Sequence, residues 1–199
     1  MARIDPLPPK QWPQEMRAAM AAIQPPAPRH PYPPRDPSRP KGLNALGMLA
    51  HHPALTQAFN TFNGHLLFAS TLSPRERELL VLRVAAVRRS DYEWAQHAVL
   101  AGDAGLRPAE VEAVGLGPAA PGLAAFDRLL VRAVDELLNG AEISDETWAG
   151  LRERLDDQQL MDLVFTVGAY ETLAMAFRSF GVEIDDDLKR KDASHFREV

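Results

Sequence analysis

The sequence predicts an all-α protein. Apolar residues recur at helical spacing over most of the chain from residue 43 onward. No stretch alternates with period two for long enough to make a strand. Helix-starting and helix-stopping residues punctuate the apolar runs at short intervals, so the helices are joined by short loops.

Residues 11–23, QWPQEMRAAMAAI, read as a short amphipathic helix. The segment QPPAPRHPYPPRDPSRPKG follows, with eight prolines between 25 and 40. Proline lacks an N–H donor and disfavours helix in the residue before it, so this piece is extended. A strap laid over a surface suits it better than a free linker, because the helix before it needs something to pack on. LNALGMLAHHP is a helix that stops at Pro53, and PALTQAFNTFNGHLLFAST places Leu55, Phe59, Phe62, Leu66 and Leu67 at helical spacings. Ser73-Pro74-Arg75-Glu76 combines a serine cap, a first-turn proline and a glutamate three residues after the cap, which starts a helix running to about Arg89. Ser90 to Ala104 forms the next, ended by Gly105. RPAEVEAVG is a short helix closed by Gly115, and 121–139 is a long one ended by Asn139-Gly140. Ser144 caps a helix to about Leu155, and 157–180 is the last long helix, stopped by Gly181. The expected organisation is an N-terminal helix and proline-rich segment over 1–42, a helical domain over 43–186, and a tail over 187–199.

Composition narrows the chemistry. The 199 residues suffice for a sizeable core, and 46% hydrophobic with 25% charged is ordinary for a globular chain. A net charge of -5 gives no electrostatic reason to expect nucleic acid. No apolar run is long enough to suggest a membrane span, and the first residues lack the order of a secretion signal, so a cytoplasmic location is expected. The absence of cysteine excludes disulfides, thiolate metal sites, cysteine nucleophiles and thiol redox chemistry.

The helix 74–89 carries an unusual carboxylate. Glu78 shares a face with Leu82 and Ala85, whereas Glu76, Arg77, Arg83 and Arg88 can all be assigned to solvent. A buried carboxylate costs several kcal/mol, in order of magnitude, unless paired or protonated. The alternative is a rim carboxylate bonded to Arg75 or Arg128. Ser90-x-x-Glu93 also satisfies the capping-box pattern, so Glu93 either bonds the Ser90 N–H or points inward. His97 lies one turn after Glu93 on a face continued by Leu100, Ala101 and Ala104; it is either a satisfied core histidine or a proton-transfer group. Two helices joined by a tight turn at 89–91 must lie side by side, which can bring Glu78 and His97 onto one seam. A histidine beside partly buried carboxylates is a candidate general acid or base. Glu78, Glu93 and His97 could also be read as metal ligands, but a clear fourth position is lacking, and no metal is expected. His51 and His52 are expected to meet the last carbonyls of their helix, His65 is core or pocket, and His30 and His195 are expected to be exposed. Trp94 and Trp148 read as packing residues.

The pattern LSxRERELxxLxxAxxxxSxYEWxxHxxxA resembles the carboxymuconolactone decarboxylase family, which shares its all-α fold with alkylhydroperoxidase D-type proteins. DLVFTVGAYETLAMAFRSFGVEID is similar to the last helix of that family, and the resemblance covers roughly 43–186. In the peroxidase branch a glutamate is followed twelve residues on by Cys-x-x-Cys and then by a histidine four after the second cysteine. Set on this chain, the glutamate falls on Glu78, the cysteine positions on Ser90 and Glu93, and the histidine on His97. The YEWxxH form is that of the decarboxylase branch. The resemblance implies an alkylhydroperoxidase D-like domain with a central helical hairpin, working without a cofactor on a carboxylated lactone or related small acid. His97, held by Glu78 or Glu93, would give a proton to the carbanion left by CO2. Ser90 falls at the substrate position, and Arg83, Arg178, Tyr170 and His65 are candidates to anchor the substrate's carboxylates. The resemblance also implies a homotrimer or homohexamer. A non-catalytic helical oligomer that uses the pocket for binding, or not at all, is the competing class.

Overall fold

The computed structural model describes residues 2–32 and 40–189, and no strand occurs among them. Ten α-helices are present among the described residues: α1 (Met16–Ala21), α2 (Leu43–Leu49), α3 (Pro53–Gly64), α4 (Pro74–Arg88), α5 (Asp91–Asp103), α6 (Pro108–Leu116), α7 (Ala125–Gly140), α8 (Asp145–Arg152), α9 (Asp157–Phe180) and α10 (Asp186–Lys189). They form two compact units, Met1–Ser70 with Ala176–Val199, and Thr71–Met175. α2 and α3 lie in the first unit together with the N-terminal segment. Of the expected 187–199 tail, 187–189 lie in α10 and the remainder, His195 included, falls outside the described residues.

In the first unit the N-terminal helix is shorter than the expected 11–23. Pro13 cannot donate to a preceding turn, and α1 starts only at Met16. Met16 and Ala19 bury against Ala50, with Leu7, Trp12, Met20 and Leu49 packed around them. Gly64 lies directly against the Ile23 carbonyl, where a side chain would collide with backbone. After α3 a π-helical turn spans His65–Ala69. The Arg29 and His30 N–H groups both donate to the Phe68 carbonyl, at 2.6 and 3.0 Å. The Tyr32 ring sits 4.6 Å from that of Phe68. Residues 29–32 are thus laid down as a strap, and residues 33–39 lie outside the described residues. His52 caps the following helix through the Leu55 N–H instead of closing its own, and His51 meets the Asp5 carbonyl. The stop at Pro53 is also a start, because proline suits the first helical turn.

In the second unit α4 is the central element, packing on α5, α6 and α7. Leu79, Leu80, Val81, Leu82, Val84 and Ala85 are all fully buried, so α4 is covered on nearly every side. Its start is as the sequence predicts: Ser73 and Glu76 close a capping box. Its end is tight. Arg89 takes a left-handed conformation with φ 51°, and the Ser90 N–H reaches back to Ala85 O at 2.8 Å. That closure turns the chain straight into α5 and makes the central helical hairpin.

α9 is long and apolar enough to cross a membrane by length and composition, a property the sequence reading did not anticipate. Its Asp162, Leu163, Thr166, Val167, Tyr170 and Ala174 are nevertheless buried. Asp162 accepts from the Thr71 N–H and hydroxyl, and Glu171 pairs with Arg88 of α4. This is the pattern of a helix packed into a protein core.

Candidate functional site

The α4–α5 hairpin faces Glu78 toward His97 within the second unit. Glu78 is fully buried, and its Oε2 lies 2.7 Å from His97 Nδ1. Its Oε1 accepts from Arg77 Nε at 3.1 Å and Nη2 at 3.0 Å. Burial pushes the Glu78 carboxyl up, but His97 and then Arg77 together hold it below the ordinary carboxylate range. It is therefore a carboxylate, and a carboxylate can only accept, so Nδ1 of His97 carries the shared hydrogen. Nε2 is left as the ring nitrogen available for chemistry. The Tyr170 ring closes the other side, edge-on to the imidazole with centroids 5.0 Å apart. Burial raises the Tyr170 phenol, and the Glu78 and Glu93 carboxyls push it the same way. Both carboxyls thus act on one ring.

Arg77 was the residue missed. Its α-carbon lies on a face that reads as solvent, but its long side chain folds back beside Glu78 and is only 11% exposed. The neighbouring arginines are used elsewhere: Arg75 bridges Glu110 and Asp127, and Arg128 donates to the Leu123 carbonyl.

Glu93 does something the local pattern does not reveal. Of the two readings open for Glu93, the capping box with Ser90 is not formed. Ser73, which caps α4, is extended at φ -64° and ψ 155°, whereas Ser90 sits at -90° and 85°. The Glu93 carboxyl goes into the interior, 1% exposed, with neither oxygen hydrogen bonded. The Ser90 hydroxyl is equally buried and equally without a partner. Burial pushes the Glu93 carboxyl well above the usual 4.5, with the nearby Ser90 hydroxyl a weaker opposing influence. The folded chain therefore keeps a proton that the unfolded chain releases as pH rises past about 4.5, and stability falls over that interval. Glu93→Gln removes this loss. Its Tm is expected to exceed that of the wild type by roughly 3–8 °C at neutral pH, the gap vanishing in acid. Thermal melts from about pH 3.5 to 8 check it, and a wild type more stable than the glutamine variant at pH 8 would contradict it.

The remaining candidates separate. Tyr170 and Ser90 lie in the unit that holds His97 and are buried there. The guanidinium of Arg83, a candidate substrate anchor, is bound to both oxygens of Asp135, at 2.6 and 2.9 Å, and to the carbonyls of Val114 and Gly115. His65 and Arg178 are exposed and belong to the other unit. His30 is half-buried, with Nε2 3.0 Å from Ser70 O. Trp94 is buried as expected, but Trp148 is 43% exposed. Among the described residues no three His, Asp or Glu side chains gather closely enough to hold a metal ion.

Residues 53–136 match the model of the Carboxymuconolactone decarboxylase family. No curated protein matches the sequence. Solved structures share the fold, three of them as follows. An uncharacterized peroxidase-related protein from Ralstonia eutropha JMP134, described as an alkylhydroperoxidase AhpD core, has a TM-score of 0.68 at 19% identity, covering 80% of this chain and 95% of that one. An uncharacterized peroxidase-related protein from Silicibacter sp. TM1040 has a TM-score of 0.66 at 18% identity, covering 72% and 77%. A protein of unknown function from Agrobacterium tumefaciens, named as a candidate antioxidant defence protein AhpD, has a TM-score of 0.64 at 19% identity, covering 69% and 94%. The chain thus resembles the carboxymuconolactone decarboxylase family over residues 53–136, has the helical fold of alkylhydroperoxidase D-type proteins, and lacks the redox cysteines.

Proposed function

We propose that the protein is a cofactor-independent carbon–carbon lyase that removes CO2 from a carboxylated lactone or similar small acid, with His97 as proton donor, and that it works as a homotrimer or homohexamer. The observation that carries the reading is the buried 2.7 Å contact between Glu78 and His97 Nδ1. An anchored Nδ1 fixes the ring and offsets the charge of the imidazolium, so Nε2 can hand its proton to carbon. Loss of CO2 leaves an electron pair delocalised into the lactone carbonyl, and protonation of carbon collects it. Among the proposed carboxylate anchors, Tyr170 has its ring edge-on to His97 in the same unit. The test is CO2 release from a panel of carboxylated unsaturated lactones, followed by mass spectrometry of the product. Turnover of at least one panel member supports the reading, and none with folded protein counts against it.

One feature favours the competing class, a binding or structural helical protein. Every side chain of the constellation is nearly closed off: Glu78 0%, Ser90 1%, Glu93 1%, Tyr170 2% and His97 8% exposed. The same panel decides between them. Cysteine-based peroxide reduction is not available to a chain without cysteine. Peroxide consumption with dithiol donors is therefore expected to stay at the blank rate, and robust dithiol-dependent turnover by metal-free protein would overturn that.

Self-association is supported by the outer face of α9. Met161, Val164, Phe165 and Met175 are 61%, 38%, 53% and 55% exposed, and their spacing gives one apolar stripe. A second copy of the chain is its proposed partner. Light scattering is expected to give three or six times the 22.0 kDa chain mass. Met161→Asp with Met175→Asp should shift the mass toward the monomer. A single monomer mass for the wild type at micromolar concentration would end the idea.

A further inference from the structure

Three buried polar atoms in the second unit have no hydrogen-bond partner and share one helical turn: Ser90 Oγ, Glu93 Oε1 and Glu93 Oε2. Buried polar groups are nearly always satisfied, and each orphan costs free energy comparable to a lost hydrogen bond. Three together at one spot make a group prepared for something that binds there. The spot is also the start of α5, a 13-residue helix. Its first internal bond runs from the Trp94 N–H to Ser90 O, so the amides of residues 91–93 have no carbonyl behind them within the helix. The positive end of the helix is therefore directed to the same place.

The groups around Glu93 restrict what could bind. Tyr170, from α9, feels both Glu93 and Glu78, and His97 stands one turn further along α5. Glu78, on α4, is already paired with Arg77 and His97. Among the described residues no cation bonds to either Glu93 oxygen, so the group suited to this environment is its uncharged acid. A neutral carboxylic acid is a hydrogen-bond donor, and so is a serine hydroxyl. Two donors on one helical turn, beside a positive helix end, match an oxygen acceptor that gains negative charge.

We infer that the Ser90 hydroxyl and the Glu93 carboxyl form a seat for a substrate carbonyl oxygen, the one that becomes an oxyanion when CO2 leaves. The inference rests on the lyase reading for its chemistry, and it gives the two residues a role distinct from proton transfer. As the bond to the carboxylate breaks, its electron pair moves into the conjugated carbonyl and charge arrives on that oxygen. Glu93 keeps its proton and donates a hydrogen bond. The proton that ends on carbon comes from His97, and solvent restores it. The ligand class follows: a small planar acid whose carbonyl is conjugated to the carbon that loses CO2.

The experiment uses full-length protein and 4-nitrophenol, a planar probe whose yellow ionised form places negative charge on an oxygen attached to a conjugated ring. Wild-type protein should bind the phenolate in preference to the phenol, seen as an increase in yellow absorbance at fixed pH. Glu93→Leu should weaken binding about 10-fold or more, and Ser90→Ala by a few-fold. Glu93→Gln, which keeps a donor and the shape, should bind better than Glu93→Leu and guards against misfolding as the cause. Infrared difference spectra between wild type and Glu93→Gln near pH 7.5 should show the band of a protonated carboxyl. No phenolate binding by wild type, binding indifferent to Glu93, or absence of that band would each overturn the inference. Decarboxylation that persists under those results would leave the lyase reading standing. Phenolate binding that depends on Glu93 in a protein with no lyase activity would sink the lyase reading instead.

Discussion

Glu78→Ala is expected to lower folding stability by about 3–5 kcal/mol at neutral pH, the scale seen when one member of a buried ion pair is removed. The reason is what remains. Arg77 and His97 both donate to Glu78, and its removal takes the carboxylate away from two buried donors at once. For a chain of this size such a loss corresponds to a Tm lower by roughly 6–20 °C. The effect has a pH signature. Glu78 has a folded-state pKa held below its ordinary 4.5, so its contribution is present above that value and is lost as pH falls through the folded value. Urea melts at about pH 7 and pH 3.5 should show a gap between wild type and variant that narrows in acid. A neutral-pH gap under about 1 kcal/mol would mean that the pair contributes little.

His97→Gln is expected to cut decarboxylation by about 10²-fold or more while the protein stays folded, the usual scale for losing a positioned acid. Glutamine can still reach Glu78 with an amide N–H, so the buried carboxylate keeps a donor. The loss should fall on kcat more than on KM, because Nε2 acts on the reacting carbon and not on the substrate's remote groups. Circular dichroism and a thermal melt establish that the variant is folded. Activity within a few-fold of wild type would make His97 structural.

The hairpin was legible because its signals are local. Ser73, Pro74 and Glu76 announce the start of α4, and the short turn near Arg89 leaves α5 no place but alongside. Once two helices are paired, the positions of Glu78 and His97 on their inner faces follow from helical geometry. The two serine–glutamate patterns show where legibility stops. Ser73–Glu76 and Ser90–Glu93 are the same motif, yet only the first closes on its own backbone. The second begins after a left-handed turn that leaves Ser90 outside the extended region a cap needs, and Glu93 turns inward. Arg77 was hidden for a different reason: face assignment follows the α-carbon, while a long side chain can reach back over its own helix. Arg83 shows the converse. It reads as an available cation, but Asp135, fifty-two residues away in sequence, had already claimed it. Helices α2 and α3 join a unit with segments from both ends of the sequence, a grouping that no local signal announces.

Deuterated water reports which group delivers the proton to carbon. Wild-type protein would be incubated in D2O with the panel of carboxylated unsaturated lactones, and the product read by proton and carbon NMR. One deuterium is expected, placed stereospecifically at the carbon that receives the proton, with CO2 released in equal amount, and both are expected to be lost in His97→Gln. Release of CO2 with deuterium scattered between both faces of that carbon, or undiminished by His97→Gln, would contradict it.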